Sequence, residues 1–167
     1  MPLDKYSRPE RERRFLLAEL PEGVSDPRRI VDRYLSGTRL RLRRIEDVSG
    51  NVEQLKLGHK VRPDETDPSL ILHTSLYLSP DEYEILSWLR ASELVKVRHR
   101  LDLDPRAAVD VFEGRLAGLI LLEIDFESVE AMTTYQPPAF AGPEVTGNEA
   151  FSGGALAHAN GPPSLLV

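Results

Sequence analysis

The sequence contains no cysteine, which excludes disulfides, thiolate-bound metals and a cysteine nucleophile. Its longest apolar run, Leu116 to Leu122, is broken by Gly118 and falls far short of a membrane-spanning helix. The first residues carry neither the apolar segment nor the small-residue cleavage site of a secretory signal, so a cytoplasmic protein with no membrane partner is expected. The four histidines, His59, His73, His99 and His158, are scattered, with none paired at metal-ligand spacing. No Gly-x-x-x-x-Gly-Lys-Ser/Thr phosphate cradle occurs. Aromatics make up 7% of the chain and do not interleave with the basic stripes, so no specific nucleic-acid partner is expected. A net charge of −6 likewise disfavours a wide basic surface.

What is there suffices for one folded domain. The 167 residues are 41% hydrophobic, enough to bury a core without staples. Residues 1–158 are assigned to that domain and residues 159–167, rich in Gly and Pro, to a flexible tail. Charge is segregated: Arg28 to Arg62 holds ten cations, whereas Glu123, Asp125 and Glu127 form an acidic cluster.

The pattern predicts strands with one clear helix. Ser79, Pro80 and Glu82 form a helix-start signature, with Tyr83, Leu86, Trp88 and Leu89 as its apolar face. Alternating segments are expected as strands at residues 10–17, 30–35, 39–45, 53–60, 70–78, 94–103, 107–113 and 119–127, many separated by Gly, Pro, Asn or Asp turns. A short helix is placed within residues 148–158. Eight mostly antiparallel strands and little helix predict an α+β protein built on an eight-stranded barrel or a large curved sheet.

Side chains alternate faces along a strand, and here the charges sort by face. Arg39, Arg41 and Arg43 share one face; so do Gln54, Lys56 and Lys60, then Lys96, Arg98 and Arg100, and finally Glu123, Asp125 and Glu127. In the first strand Glu10, Glu12 and Arg14 lie together, with Arg11 and Arg13 opposite. An antiparallel sheet with one wet face is the ordinary explanation. Yet wet faces mix signs, and cations two residues apart on a strand sit only about 7 Å from each other. Faces of one sign make sense if they converge on a highly anionic ligand. The alternative is a barrel with a charged lumen, suited to a polyphosphate with a divalent metal: guanidiniums for phosphate oxygens, grouped carboxylates for Mg²⁺ or Mn²⁺.

The ordered motifs are similar to those of the CYTH superfamily, the triphosphate tunnel metalloenzymes. Glu10-Arg11-Glu12-Arg13-Arg14-Phe15-Leu16 resembles its ExExK-F-L opening, and Arg33–Ile45 its Tyr-Leu and Arg-x-Arg strand. Glu53–Lys60, Leu94–Leu103, Ala108–Ser128 and Pro143–Ala157 resemble the later signatures. The resemblance implies an eight-stranded tunnel that cleaves triphosphates, most simply inorganic tripolyphosphate, by in-line attack of a metal-activated water. It implies Glu10, Glu12, Glu123 and Asp125 as metal ligands for Mg²⁺ or Mn²⁺, and Glu10, Glu12, Arg14 and Glu123 as the catalytic set. Arg39, Arg41, Arg43, Lys56, Lys96, Arg98 and Arg100 would bind phosphates, Asp110 would assist, and Glu144 matches a late acidic position. A class IV adenylate cyclase and a non-catalytic polyphosphate- or nucleotide-binding module remain alternatives, and a homodimer stays open.

Two departures stand out. Arg14 replaces the family lysine, and arginine cannot shed its proton as a lysine can. The fifth strand carries His73, Thr74 and Ser75 where acids are expected, which leaves fewer carboxylates for metal.

Overall fold

The structure, a computed structural model, describes residues 5–64 and 66–164; residues 165–167 of the expected tail lie outside them. Eight strands follow in chain order: β1 (Arg8–Leu16), β2 (Val24–Leu35), β3 (Leu40–Glu46), β4 (Val52–Val61), β5 (Leu70–Tyr77), β6 (Ala91–Leu101), β7 (Ala107–Phe112) and β8 (Ile120–Phe126). They close into one antiparallel barrel in the order β1-β5-β4-β3-β2-β6-β7-β8, β1 pairing with both β5 and β8. Three short helices decorate it: α1 (Pro80–Ser87), α2 (Val129–Thr134) and α3 (Gly153–His158). None of the described helices is long and apolar enough to cross a membrane.

The alternation read from the sequence places apolar residues on the barrel's outer wall. Phe15, Leu101, Val109, Leu122, Ile124 and Phe126 pack there beneath Met132 of α2 and Tyr135. Inward positions change character along the strands. Near one end they are Leu94, Phe112 and Leu121, which meet Phe151 and Leu156 of the C-terminal segment. That segment caps one end of the barrel and leaves the charged positions beyond it.

Differences from the sequence reading have local causes. β2 begins at Val24 rather than residue 30, because a register shift between Ser25 and Arg28 absorbs Pro27, with Asp26 at φ 51°. α2 spans six residues, too few to show a helical period. The expected helix at 148–158 divides into a 3₁₀ turn, Glu149–Phe151, and α3, each with its own cap, Asn148 and Ser152. α1 has the foreseen capping box, Ser79 with Glu82, but its expected apolar face is only partly used. Tyr83 and Leu86 are half-buried, while Trp88 is 80% exposed.

Candidate active site: a charged tunnel

A cavity of about 860 Å³ lies inside the barrel and ends on the cap. The tunnel-facing residues of β1 and β8 form an acidic wall, and those of β3 and β6 a cationic one. Glu10, Glu12, Arg14, Arg39, Arg41, Arg43, Lys96, Arg98, Glu123 and Asp125 all line the cavity. Lys56 and Arg100, placed on the same faces by parity, do not line it. The Lys56 ammonium lies 4.9 Å from the centre of the Tyr77 ring, and Arg100 is exposed, 3.8 Å from Asp102. Arg11, which parity puts outside, borders the cavity and is bound to Asp67 at 2.7 Å. Glu144 sits outside the barrel, where Arg13 grips it at 2.7 and 3.0 Å.

The stacked cations do not simply repel, because two buried acids sit among them. Asp32 of β2 is 1% exposed and accepts from Arg43 Nε and Nη2 at 2.6 and 2.7 Å, with Arg41 Nε at 3.6 Å. Burial would raise its pKa, but Arg43 and Arg41 hold it well below the carboxylate range. Asp110 of β7, fully buried, accepts from Arg98 Nε and Nη2, each at 2.7 Å, and from Lys96. Burial pushes the Lys96 ammonium pKa down against the pull of Asp110.

The acidic wall divides into paired and unpaired groups. Glu123 accepts from Arg98, and despite its burial this guanidinium and Lys96 hold its pKa far down. Glu10 meets His73 Nδ1 at 2.7 Å and Lys60 Nζ at 3.0 Å. Partial burial opposes ionisation, but His73 and Lys60 bring Glu10 to about 2. The one ion-pair partner of Glu12 among the described residues is Arg14, whose Nε lies 3.7 Å away. Asp125, directly opposite Glu12, has no cation bound to it among the described residues. Its partial burial, then the charges of Glu123 and Glu12, push it up to about 6.

Arg14 lies on the expected tunnel face, but its contacts run to the cap. Its guanidinium is buried and donates to the carbonyls of Phe151 at 2.6 Å and Thr146 at 3.3 Å. It thereby ties β1 to the cap as it borders the tunnel. His73, standing where acids were expected, bridges Glu10 and the Ser75 hydroxyl, the latter at 3.1 Å. Gly58, on the tunnel face of β4, makes room for it: a Cβ there would lie 3.2 Å from His73 Nε2 and 3.4 Å from Arg41 Nη2.

No three or more histidines or acids among the described residues converge as a ready metal cage. The donors nonetheless fit a divalent cation: Glu12 and Asp125 are hard oxygen ligands on one wall, and the raised Asp125 pKa marks uncompensated negative charge. Sequence reasoning missed Asp32 as the anchor of the arginines and met Asp110 only through the family motif. The signal was a lone acid between Ile30 and Tyr34 on the inward face of "IVDRYL".

A closed eight-stranded antiparallel barrel with opposed acidic and cationic inner walls is the architecture that the resemblance to the triphosphate tunnel metalloenzymes implied, and the fold is shared with solved structures of that shape. The chain is a homologue of the inorganic triphosphatase of Nitrosomonas europaea, 28% identical over 160 residues that cover 89% of this chain and 96% of that protein. The crystal structure of the inorganic triphosphatase NE1496 superposes with a TM-score of 0.61 at 23% identity, covering 90% of this chain and 95% of that one. The PH1819 protein of Pyrococcus horikoshii OT3 shares the fold, with a TM-score of 0.53 at 18% identity over 74% of this chain and 82% of its own. No family model matches the chain.

Proposed function

We propose that the protein hydrolyses linear triphosphates, inorganic tripolyphosphate foremost, with Mg²⁺ or Mn²⁺ held on the acidic wall. The observation that carries this reading is the Glu12–Asp125 pair, with Asp125 unpaired among the described residues and Glu12 only loosely met by Arg14, in one cavity with the Arg39 and Arg41 guanidiniums. The relative named an inorganic triphosphatase, matched over 96% of its length, supports it.

Glu12 and Asp125 are the primary holders of the cation, with Glu10 and Glu123 bordering the same space in their ion pairs. A bound divalent ion supplies Lewis-acid polarisation of the phosphates and lowers the pKa of water. The chain's own groups do the positioning. Among the described residues Arg39 has no ion-pair partner, and Arg41 is paired only loosely at Nε. Both therefore offer donors to phosphate oxygens and to the charge that develops on the leaving group. Arg43 and Arg98, each doubly bound to a buried acid, set the shape of the cationic wall. The cap closes one end and limits water around the reacting phosphorus.

The test is a phosphate-release panel with tripolyphosphate, ATP, thiamine triphosphate and pyrophosphate, each with Mg²⁺ and Mn²⁺. Tripolyphosphate cleavage that disappears in both Glu12→Gln and Asp125→Asn is the expected result. Full activity in both variants refutes the assignment. Arg14 gives a second reading its standing: its guanidinium is committed to carbonyls and cannot carry a proton as the family lysine could. Tripolyphosphate binding by calorimetry with no release under either metal would establish a binding module. Cyclic AMP formed from ATP would establish a cyclase.

A further inference from the structure

Arg41 stands in a row of residues that runs across four strands: Tyr34 of β2, Arg41 of β3, Gly58 of β4 and Ser75 of β5 are successive register partners. The next row holds Asp32 and Arg43. The Arg41 guanidinium is thus bounded on three sides. Asp32 lies 3.6 Å from its Nε, and the Tyr34 hydroxyl interacts with it. Across the row Nη2 passes close over Gly58, where a Cβ would be 3.4 Å away.

Tyr34 is itself held from the cap. A Cβ built on Gly153, the first residue of α3, would lie 2.0 Å from the Tyr34 hydroxyl oxygen and 3.1 Å from Cζ. That separation is impossible for a real side chain. Gly153 does not adopt the left-handed backbone conformation that would itself demand glycine. What glycine provides here is a notch for the phenol.

We propose that Asp32 and Tyr34 are positioning residues that fix the Arg41 guanidinium for a phosphate group, and that Gly153 is the notch that admits Tyr34. The inference rests on the triphosphate reading for its ligand. Asp32 takes the Nε side and draws Arg43 away from the same space, while Tyr34 blocks the end toward the cap. The remaining edge of Arg41 faces the cavity. The C-terminal cap thereby becomes part of substrate recognition, although no atom of Gly153 needs to touch the substrate.

The experiment measures KM and kcat for tripolyphosphate in Asp32→Asn, Tyr34→Phe, Gly153→Ala and the double variant Tyr34→Phe/Gly153→Ala. The ¹⁵N-detected Nε–H signal of Arg41 is followed in each protein without substrate. Each single change is expected to raise KM about tenfold, the scale of one hydrogen bond to a charged group, with kcat less affected, and to displace the Arg41 signal. Gly153→Ala is expected to add little to Tyr34→Phe, since removing the hydroxyl removes the 2.0 Å collision and leaves only the 3.1 Å approach of Cζ, which a shift of a few tenths of an ångström relieves. A merely structural role for the notch would make the two effects multiply, and that outcome overturns the inference. So does a wild-type KM and an unmoved Arg41 signal in Tyr34→Phe. Should Asp32→Asn not fold, the Tyr34 and Gly153 variants still decide the matter. Should the wild type turn over no tripolyphosphate, the functional reading fails by itself, and the Arg41 signal alone decides whether the guanidinium is fixed as described.

Discussion

Glu12 and Asp125 face each other directly across β1 and β8. Like charges in this relationship destabilise a strand pair, and burial, then the charges of Glu123 and Glu12, push Asp125 up to about 6. A divalent cation binds only the ionised form, so Mg²⁺ affinity should rise as pH increases through about 6. Stability runs the other way. The unfolded chain releases this proton near the ordinary value of 3.8, so the metal-free fold loses stability as pH rises from there through about 6. Added Mg²⁺ should remove that loss, and Asp125→Asn should abolish both effects. Thermal melts across pH, with and without Mg²⁺, check this.

Asp110 is fully buried between Arg98 and Lys96. Asp110→Ala leaves the buried Lys96 without its partner and Arg98 with Glu123 alone, and should cost about 3–5 kcal/mol. Urea unfolding measures it. A loss below about 1 kcal/mol, the scale of an exposed pair, would show that the cations find other acids.

Arg14→Met keeps the length of the side chain but leaves the carbonyls of Phe151 and Thr146 without their donor. An expected loss of about 1–3 kcal/mol should be concentrated in the cap. Hydrogen exchange should therefore quicken over residues 145–157 before it does in β6 or β7.

Gly58→Ala presses on the ends of two side chains, His73 and Arg41, both able to yield by a few tenths of an ångström. Stability should hardly change, while KM for tripolyphosphate should rise. An unchanged KM would show that neither group needs its present place.

Much of this was legible in the residues. Strict alternation in "TRLRLRRI" and "LVKVRHRL" disclosed the charged inner faces, because a strand gives each face every second residue. Eight such segments gave the strand count. The reach of individual side chains was not legible. Lys56 and Arg100 have the right parity but lie beyond the cavity, where the strand stagger of a barrel carries them. Arg14 has the motif's place and a different set of contacts, fixed by a segment more than 130 residues away in sequence. Asp32 passed unnoticed because a single acid has no period, and its importance lies in what the neighbouring strand presents to it.

Closure of the barrel by β1 has a consequence for how the protein is made. The cationic strands β3 and β6, with β2 between them, emerge from synthesis and can pair before β8 exists. The acidic pair cannot form until a strand near the N-terminus meets one that begins at residue 120, a contact of the slow, non-local kind. A growing or truncated chain ending before β8 therefore carries the cations, with Glu10 and Glu12 but without Glu123 and Asp125. A premature stop before β8 would leave the cationic wall without its acidic counterpart, so the proposed chemistry would need the finished molecule.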